Sequence, residues 1–430
     1  MRQRNSSQAV ESFFLGVSLN QIPKPIWALS ISTLLMTLSG SIVFTIAPHY
    51  LVDVLKLDKQ SVGWMEGIVE SFALMVRMLS GAVSDYIVRR KLIILMGYGL
   101  STLAKFVLPF AYSVLVLYIT RIVERTGNGL QAAPREALVG DLAPPKIRGA
   151  CYGVRNACGK AGSSIGALVV FLILVNVATA HINADTYQLI FFVGIIPSAL
   201  ACVILYFFVQ DKKRKPPRSF VTSLETISFK FVHLKYLGRK FWILMLIVSI
   251  FNFSHFSETF LQLRAREVGV SVVYAPLVMV LMNLTIAIAS YPVGDLSDQF
   301  GRRLFLSIGF ICVIISDILL AFGEGYLAVF AAITFWGVQM AMTQGMIATL
   351  VTDTANPDYR GTAFGVLNVL TGIVYFIASP FYGWIWDRFG GMWPFLCSAA
   401  VTVFSLILLY SLMRPSSLDQ DSSTDQTIFE

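Results

Sequence analysis

Gly81-Ala-Val-Ser84-Asp85-Tyr-Ile-Val88-Arg89-Arg90-Lys91 returns 213 residues later as Gly294-Asp-Leu-Ser297-Asp298-Gln-Phe-Gly301-Arg302-Arg303. Each copy lies between two long apolar runs. A second pair repeats nearby. Asp141, Pro145, Arg148-Gly149 and Tyr152-Gly153 are matched by Asp353, Pro357, Arg360-Gly361 and Phe364-Gly365, at an offset of 212. Both offsets are close to half of the 430 residues, so the chain reads as two related halves.

The apolar runs set the fold class. Hydrophobic residues make up 56% of the chain and charged residues 13%, about half the charged share of a soluble domain. Runs of about 20 residues are long enough to cross a hydrocarbon core of about 30 Å. Twelve are expected, near 26–47, 61–83, 92–111, 114–138, 149–175 and 187–209, then 241–262, 273–293, 304–322, 326–350, 361–383 and 392–413. Backbone groups in lipid must be satisfied within each segment, so helices are expected. The reading is an all-α membrane protein of two pseudo-symmetric six-helix bundles, 26–209 and 241–413. Internal duplication in such a chain points to a secondary transporter.

Lysine and arginine set the orientation. Loops on the side of the repeated string, with both termini, hold 21 of them; the opposite loops hold 5. Both ends are therefore expected in the cytoplasm, in a bacterial inner membrane. The net charge of +8 follows from topology and calls for no nucleic-acid partner. Residues 1–25 are expected to form a cytoplasmic segment, without the pattern of a removable signal peptide. Residues 210–240 form a basic linker in which Phe220, Leu224, Ile227, Phe231 and Leu234 have helical spacing. An amphipathic helix on the inner leaflet fits them, and an unstructured linker is the alternative. Residues 414–430 are expected to be disordered. The five cysteines lack the spacing of a metal site, and no cofactor, phosphate loop or Ser/His/Asp order points to an enzyme.

The repeated string resembles motif A of the major facilitator superfamily, Gly-x-x-x-Asp-x-x-Gly-Arg-Arg/Lys between spans 2 and 3. Gly81, Asp85, Arg89 and Arg90 match the first copy, with Val88 at the usual second glycine. Gly294, Asp298, Gly301, Arg302 and Arg303 match the second. Arg148 and Arg360, opening spans 5 and 11, also fit. Span 4 resembles motif B, with Arg121, Gly127 and Gly129. The resemblance spans residues 26–413 and implies a monomeric carrier that rocks one bundle against the other. Asp85, Arg89, Arg90, Arg148, Asp298, Arg302, Arg303 and Arg360 are its gating candidates, with Asp141 and Asp353 as partners for the basic groups. Span 5 has Gly162-Ser-Ser-Ile-Gly166, without the proline that drug-exporting antiporters of the superfamily carry there.

Seven basic residues remain inside the spans: Arg77, Lys105, Arg121, Arg125, Arg135, Arg155 and Lys160. All fall in spans 2 to 5. Intramembrane charge is costly and faces a partner or a wet cavity. Arg121, Arg125, Asn128 and Arg135 share an arc of about 80° on span 4 at 100° per residue. This reads as a positive wall for a small organic anion, with ion-pairing between helices as the alternative. Lys105 is left unassigned. Asn252, Gln262, Asn283 and Tyr375 are the candidate binding residues of the second half. Glu66 and Glu70 on span 2, and His255 with Glu258 three residues apart on span 7, are candidate proton carriers. The expected activity is uptake of a carboxylate metabolite or carboxylate-type iron chelate with protons. Proton-coupled efflux of drugs or metabolites is the first alternative, and a non-transporting sensor or scaffold of the same fold the second.

Overall fold

The computed structural model describes residues 21–86, 89–144, 147–177, 184–209, 211, 237–355 and 360–412. The linker pattern from Phe220 to Leu234 and the tail lie outside them. Within the described residues all regular structure is helical. The first half holds α1 (Lys24–Asp53), α2 (Lys59–Tyr86), α3 (Arg90–Val107), α4 (Val114–Leu142), α5 (Arg148–Val177) and α6 (Ala184–Phe208). The second holds α7a (Gly238–Ser254), α7b (Thr259–Glu267), α8 (Ala275–Phe300), α9 (Arg302–Phe322), α10 (Gly325–Thr354), α11 (Arg360–Phe389) and α12 (Trp393–Leu412).

Nine of the described spans, with α7a and α7b counted as one, are long and apolar enough to cross a membrane. The others lose apolarity for identifiable reasons. α2 carries Glu66, Glu70 and Arg77, and α4 carries Arg121, Glu124, Arg125, Arg135 and Glu136. α8 is apolar only over Ala275–Ser290.

The expected continuous span 7 is broken. α7a ends at Ser254 and α7b starts at Thr259. Two short polar side chains take over backbone partners at the break, as such residues do outside helices. Ser254 Oγ donates to the Phe251 carbonyl at 2.6 Å, and Ser257 Oγ accepts from the Thr259 amide at 3.3 Å. Phe256 leaves the helical path and packs on Tyr382, with ring centroids 4.5 Å apart.

By contact the described residues group into two units that do not follow the sequence halves. The first takes 21–44, 76–173, 184–209 and 211; the second takes 45–75, 174–177, 237–355 and 360–412.

In the first unit, Ile26, Leu29, Ile94, Tyr98, Leu138, Val139, Cys151 and Leu205 share a buried core. Glycines set its closest crossings. A Cβ on Gly162 would lie 2.2 Å from the Leu34 carbonyl, and one on Gly127 2.6 Å from the Gly97 carbonyl. Thr37 Oγ1 to Gly159 O (2.9 Å) and Ser41 Oγ to Ser163 O (2.7 Å) tie α1 to α5.

In the second unit, Phe241, Val248, Phe251, Phe310, Val313 and Leu350 form the core. The start of α2 belongs here because it docks on α11. A Cβ on Gly63 would lie 2.3 Å from the Ser379 carbonyl, and one on Gly383 2.4 Å from that of Lys59. Asp387 accepts from the Lys59 and Gln60 amides at 3.1 and 2.7 Å, capping the N-terminus of α2 from α11.

Candidate functional site

The two copies of the repeated string build the same joint, in a register one residue away from the sequence alignment. Arg90 Nη1 meets Asp141 Oδ2 at 3.0 Å, and Arg302 Nη1 pairs with Asp353. Both pairs link residues 51 positions apart. Lys91 Nζ donates to the Tyr206 carbonyl at 2.6 Å and lies 5.5 Å from that ring's centroid. Arg303 lies 4.4 Å over the Tyr410 ring and donates to the Leu409 and Tyr410 carbonyls.

Arg90-Lys91 therefore corresponds to Arg302-Arg303. Arg89, aligned with Arg302 in the sequence, instead stands exposed at the N-cap of α3 with φ −102°. Its counterpart is Gly301, at φ +91°, where a Cβ is disfavoured. The first loop has one extra residue and does without the glycine. Each joint staples a motif to helices of its own unit, α3 to α4 and α6, and α9 to α10 and α12. Arg148 is exposed at the start of α5. Asp85, Asp298 and Arg360 lie on helix backbone, and their side chains fall outside the described residues.

The first unit carries all seven intramembrane cations. Arg121, 1% exposed, donates to Glu124 Oε2 at 2.8 Å. Lys105 Nζ, equally buried, lies 3.9 Å from Glu124 Oε1. Lys105, left unassigned in the sequence, thus shares one buried carboxylate with Arg121. Arg121 serves this triad, whereas Arg125 is partly exposed, its guanidinium carbon 5.4 Å from the Phe44 ring centroid. Further along α4, Gln131 Nε2 donates to Asn128 Oδ1 at 3.0 Å, and Arg135 Nη1 donates to Gln131 Oε1 at 3.1 Å. Arg155 pairs with Glu136. With Glu124 and Glu136 the only intramembrane carboxylates of this unit, seven cations against two acids leave five positive charges.

The second unit has the opposite sign. Glu66 and Glu70 fall in its 45–75 segment, with Glu258 and Asp317, and no Lys or Arg lies at that depth. Glu66, 1% exposed, accepts from Ser257 Oγ at 3.3 Å. Tyr375 lies within electrostatic reach of Glu70 and Glu258. The α7 break corrects the reading of His255 and Glu258 as one helical pair. His255 stacks between Trp336 (4.7 Å) and Phe251 (6.0 Å), and its Nδ1 makes no hydrogen bond among the described residues. Asn252 donates to Thr371 Oγ1 at 3.0 Å, and Asn283 turns back to the Met279 carbonyl at 2.9 Å. Gln262 is fully buried.

Helical halves with matching staples and a charged interior define a secondary-transporter fold. The family model described as Major Facilitator Superfamily matches residues 29–372 and 249–427. The chain belongs to this superfamily of transporters and is a multi-pass integral membrane protein. It is 28% identical over 395 residues to an uncharacterised MFS-type transporter of Methanocaldococcus jannaschii, covering 90% of this chain and 95% of that one. It is 32% identical over 126 residues to the vesicular acetylcholine transporter of Homo sapiens, 29% of this chain and 24% of that one. A solved mutant of the nucleoside transporter NupG superposes with TM-score 0.76 at 14% identity, covering 91% and 100% of the two chains.

Proposed function

We propose that this protein moves a small organic anion, a carboxylate metabolite or carboxylate-type iron chelate, together with protons. It works by alternating access in a bacterial inner membrane with both termini in the cytoplasm. The observation that carries this reading is the excess of five positive charges within the first unit. Excess positive charge at low dielectric repels a cationic ligand and attracts an anion. Arg125 is the principal anion ligand because its side chain is partly exposed, whereas Arg121 is buried against Glu124. A guanidinium offers the forked donors that fit a carboxylate. Asn128, joined to Arg135 through Gln131, extends the donor row. Glu66, Glu70 and Glu258 are the proton carriers, and Asn252 and Tyr375 the polar contacts of the second unit.

A second reading rests on the acids of that second unit and on the segment shared with the vesicular acetylcholine transporter: a cationic substrate exchanged for protons. A thermal-shift panel of anionic, cationic and neutral metabolites on the purified protein separates the two. A ligand that binds only the folded state raises its melting point by mass action. The anion reading predicts stabilisation by carboxylates, and stabilisation by cations alone overturns it.

A further inference from the structure

Asp317 sits in α9 with none of its side chain exposed, yet no cation approaches it among the described residues. Its surroundings are hydroxyl groups. Ser398 Oγ of α12 meets Asp317 Oδ2 and also the Ser254 carbonyl, at 2.9 Å from the latter. Thr402 Oγ1 meets Ser254 Oγ at 2.8 Å and the Ser398 carbonyl at 2.9 Å. Ser254 Oγ spends its own hydrogen on the Phe251 carbonyl. Asp317 Oδ1 has no hydrogen-bond partner among the described residues.

Counting hydrogens decides what this cluster holds. Ser398 has one hydroxyl hydrogen for two acceptors, the Asp317 carboxylate and the Ser254 carbonyl. Given to the carboxylate, it leaves the last carbonyl of α7a unmet. Given to the carbonyl, it leaves a bare carboxylate oxygen facing hydroxyl lone pairs. One added proton on Asp317 resolves both: the carboxyl O–H donates to Ser398, and Ser398 donates on to Ser254. The proton also removes an unpaired buried charge, which is far costlier than a neutral carbonyl in the same place.

The other titratable groups nearby do not replace that proton. Arg264 of α7b spends its guanidinium on the Leu320 and Ala321 carbonyls and on Glu267. His255 stacks on Trp336. Tyr382 of α11 lies within electrostatic reach of Asp317 and of Cys397 on α12, and its hydroxyl has no hydrogen-bond partner among the described residues. Glu258 follows in the α7 break, and Cys312 is the other titratable group of α9 beyond Arg302 and Arg303 at its start. α10 brings no titratable side chain between residues 327 and 352, and α8 no charged one before Asp295.

We propose that Asp317 is an exchangeable proton site of the second unit, and that its proton, through Ser398, holds the end of α7a at the helix break. Deprotonation turns the Ser398 hydrogen to the carboxylate and releases the Ser254 carbonyl. The next residues of the break include Ser257, the hydrogen-bond partner of Glu66. The site therefore sits where loss of a proton loosens the element that carries the proposed coupling groups. Its coupling role rests on the transport reading; its existence does not, and the test needs no substrate.

The test is infrared difference spectroscopy of the purified full-length protein between mildly acidic and mildly alkaline buffer. Wild type should show the carbonyl stretch of a protonated carboxylic acid that disappears on alkalinisation and is missing from Asp317→Asn. Ser398→Ala should keep the band and shift it, because its hydrogen-bond acceptor is gone. Identical wild-type and Asp317→Asn spectra overturn the proposal, as does a band that ignores pH. Sodium chloride, against choline chloride, abolishing the band and raising the melting point of wild type but not of Asp317→Asn would make this a sodium site and also overturn it. Should Asp317→Asn fail to fold, Ser398→Ala decides: an unshifted band refutes the assignment.

Discussion

Removing the Glu124 carboxylate should damage the fold more than removing any surface charge. In wild type this group lies between Arg121 at 2.8 Å and Lys105 at 3.9 Å, and all three side chains are at most 2% exposed. At an effective dielectric of 20, unit charges 4 Å apart interact by about 4 kcal/mol. Breaking a buried ion pair from one side costs about 3–5 kcal/mol, because the remaining charge is left buried. Glu124→Gln removes a carboxylate that two buried cations share, so its cost belongs at the upper end, a large share of the roughly 5–15 kcal/mol that holds a typical protein folded. Thermal unfolding of the detergent-purified variant reads this directly. Glu124→Gln should melt far below wild type, and Glu124→Gln with Lys105→Met should recover part of the loss by removing one of the two buried cations. A single variant that melts like wild type would refute the triad and return Arg121 to the candidate anion ligands.

Other outcomes follow from the same geometry. Arg90→Ala should destabilise by about 1.5–3 kcal/mol, the range for a charged hydrogen bond, and Arg302→Ala by about 0–1, the range for an exposed pair. The first pair is 7% and 15% exposed and the second 34% and 41%; equal losses on chemical denaturation would contradict the comparison. Gly162→Ala should cost about 1–3 kcal/mol by overpacking against the Leu34 carbonyl, while Gly149→Ala meets open space and should be silent in the same melt. Asp211, beyond α6, accepts from the Lys91 amide at 2.9 Å, and burial pushes its carboxyl above the ordinary 3.8. Its folded form therefore holds the proton more tightly than the unfolded chain. That contribution is fully present below 3.8 and is lost as pH rises through the folded value. Asp211→Asn keeps an acceptor for Lys91 without the charge, so the wild-type melting point should fall relative to the variant over that range. Parallel pH profiles would contradict it.

Much of the architecture was legible because lipid leaves few choices. Apolar runs of span length and a doubled string fix the helices and the family resemblance. The joint's register was hidden because one extra loop residue before Arg90 leaves the alignment of the charged residues plausible either way. The α7 break was hidden because Phe251 to Phe260 is mixed polar and aromatic throughout, and only the partners of Ser254 and Ser257 show where helical bonding stops. The close contact of Gly63 and Gly67 with α11 was not legible in the sequence, because two glycines four apart do not name a partner helix. That contact moves Glu66 and Glu70 into the acidic second unit. On the sequence, ion-pairing between helices was the alternative to an anion site, whereas Arg121 pairs within its own helix with Glu124 at i,i+3 spacing. The burial of Lys105 against the same carboxylate needed the glycine crossing of α3 and α4 to become visible.

The central claim is that Arg125 binds an anionic substrate. Its most direct test is the affinity of wild type and Arg125→Ala for the best carboxylate ligand from the thermal-shift panel, measured by titration calorimetry. Loss of one charged fork should cost about 1.5–3 kcal/mol, or roughly 10- to 150-fold in Kd. The melting point of the unliganded variant should stay near wild type, and Arg125→Lys should restore binding only in part. Unchanged affinity in Arg125→Ala, or a best ligand that is a cation bound equally by both proteins, would contradict the account and make the cations of the first unit structural.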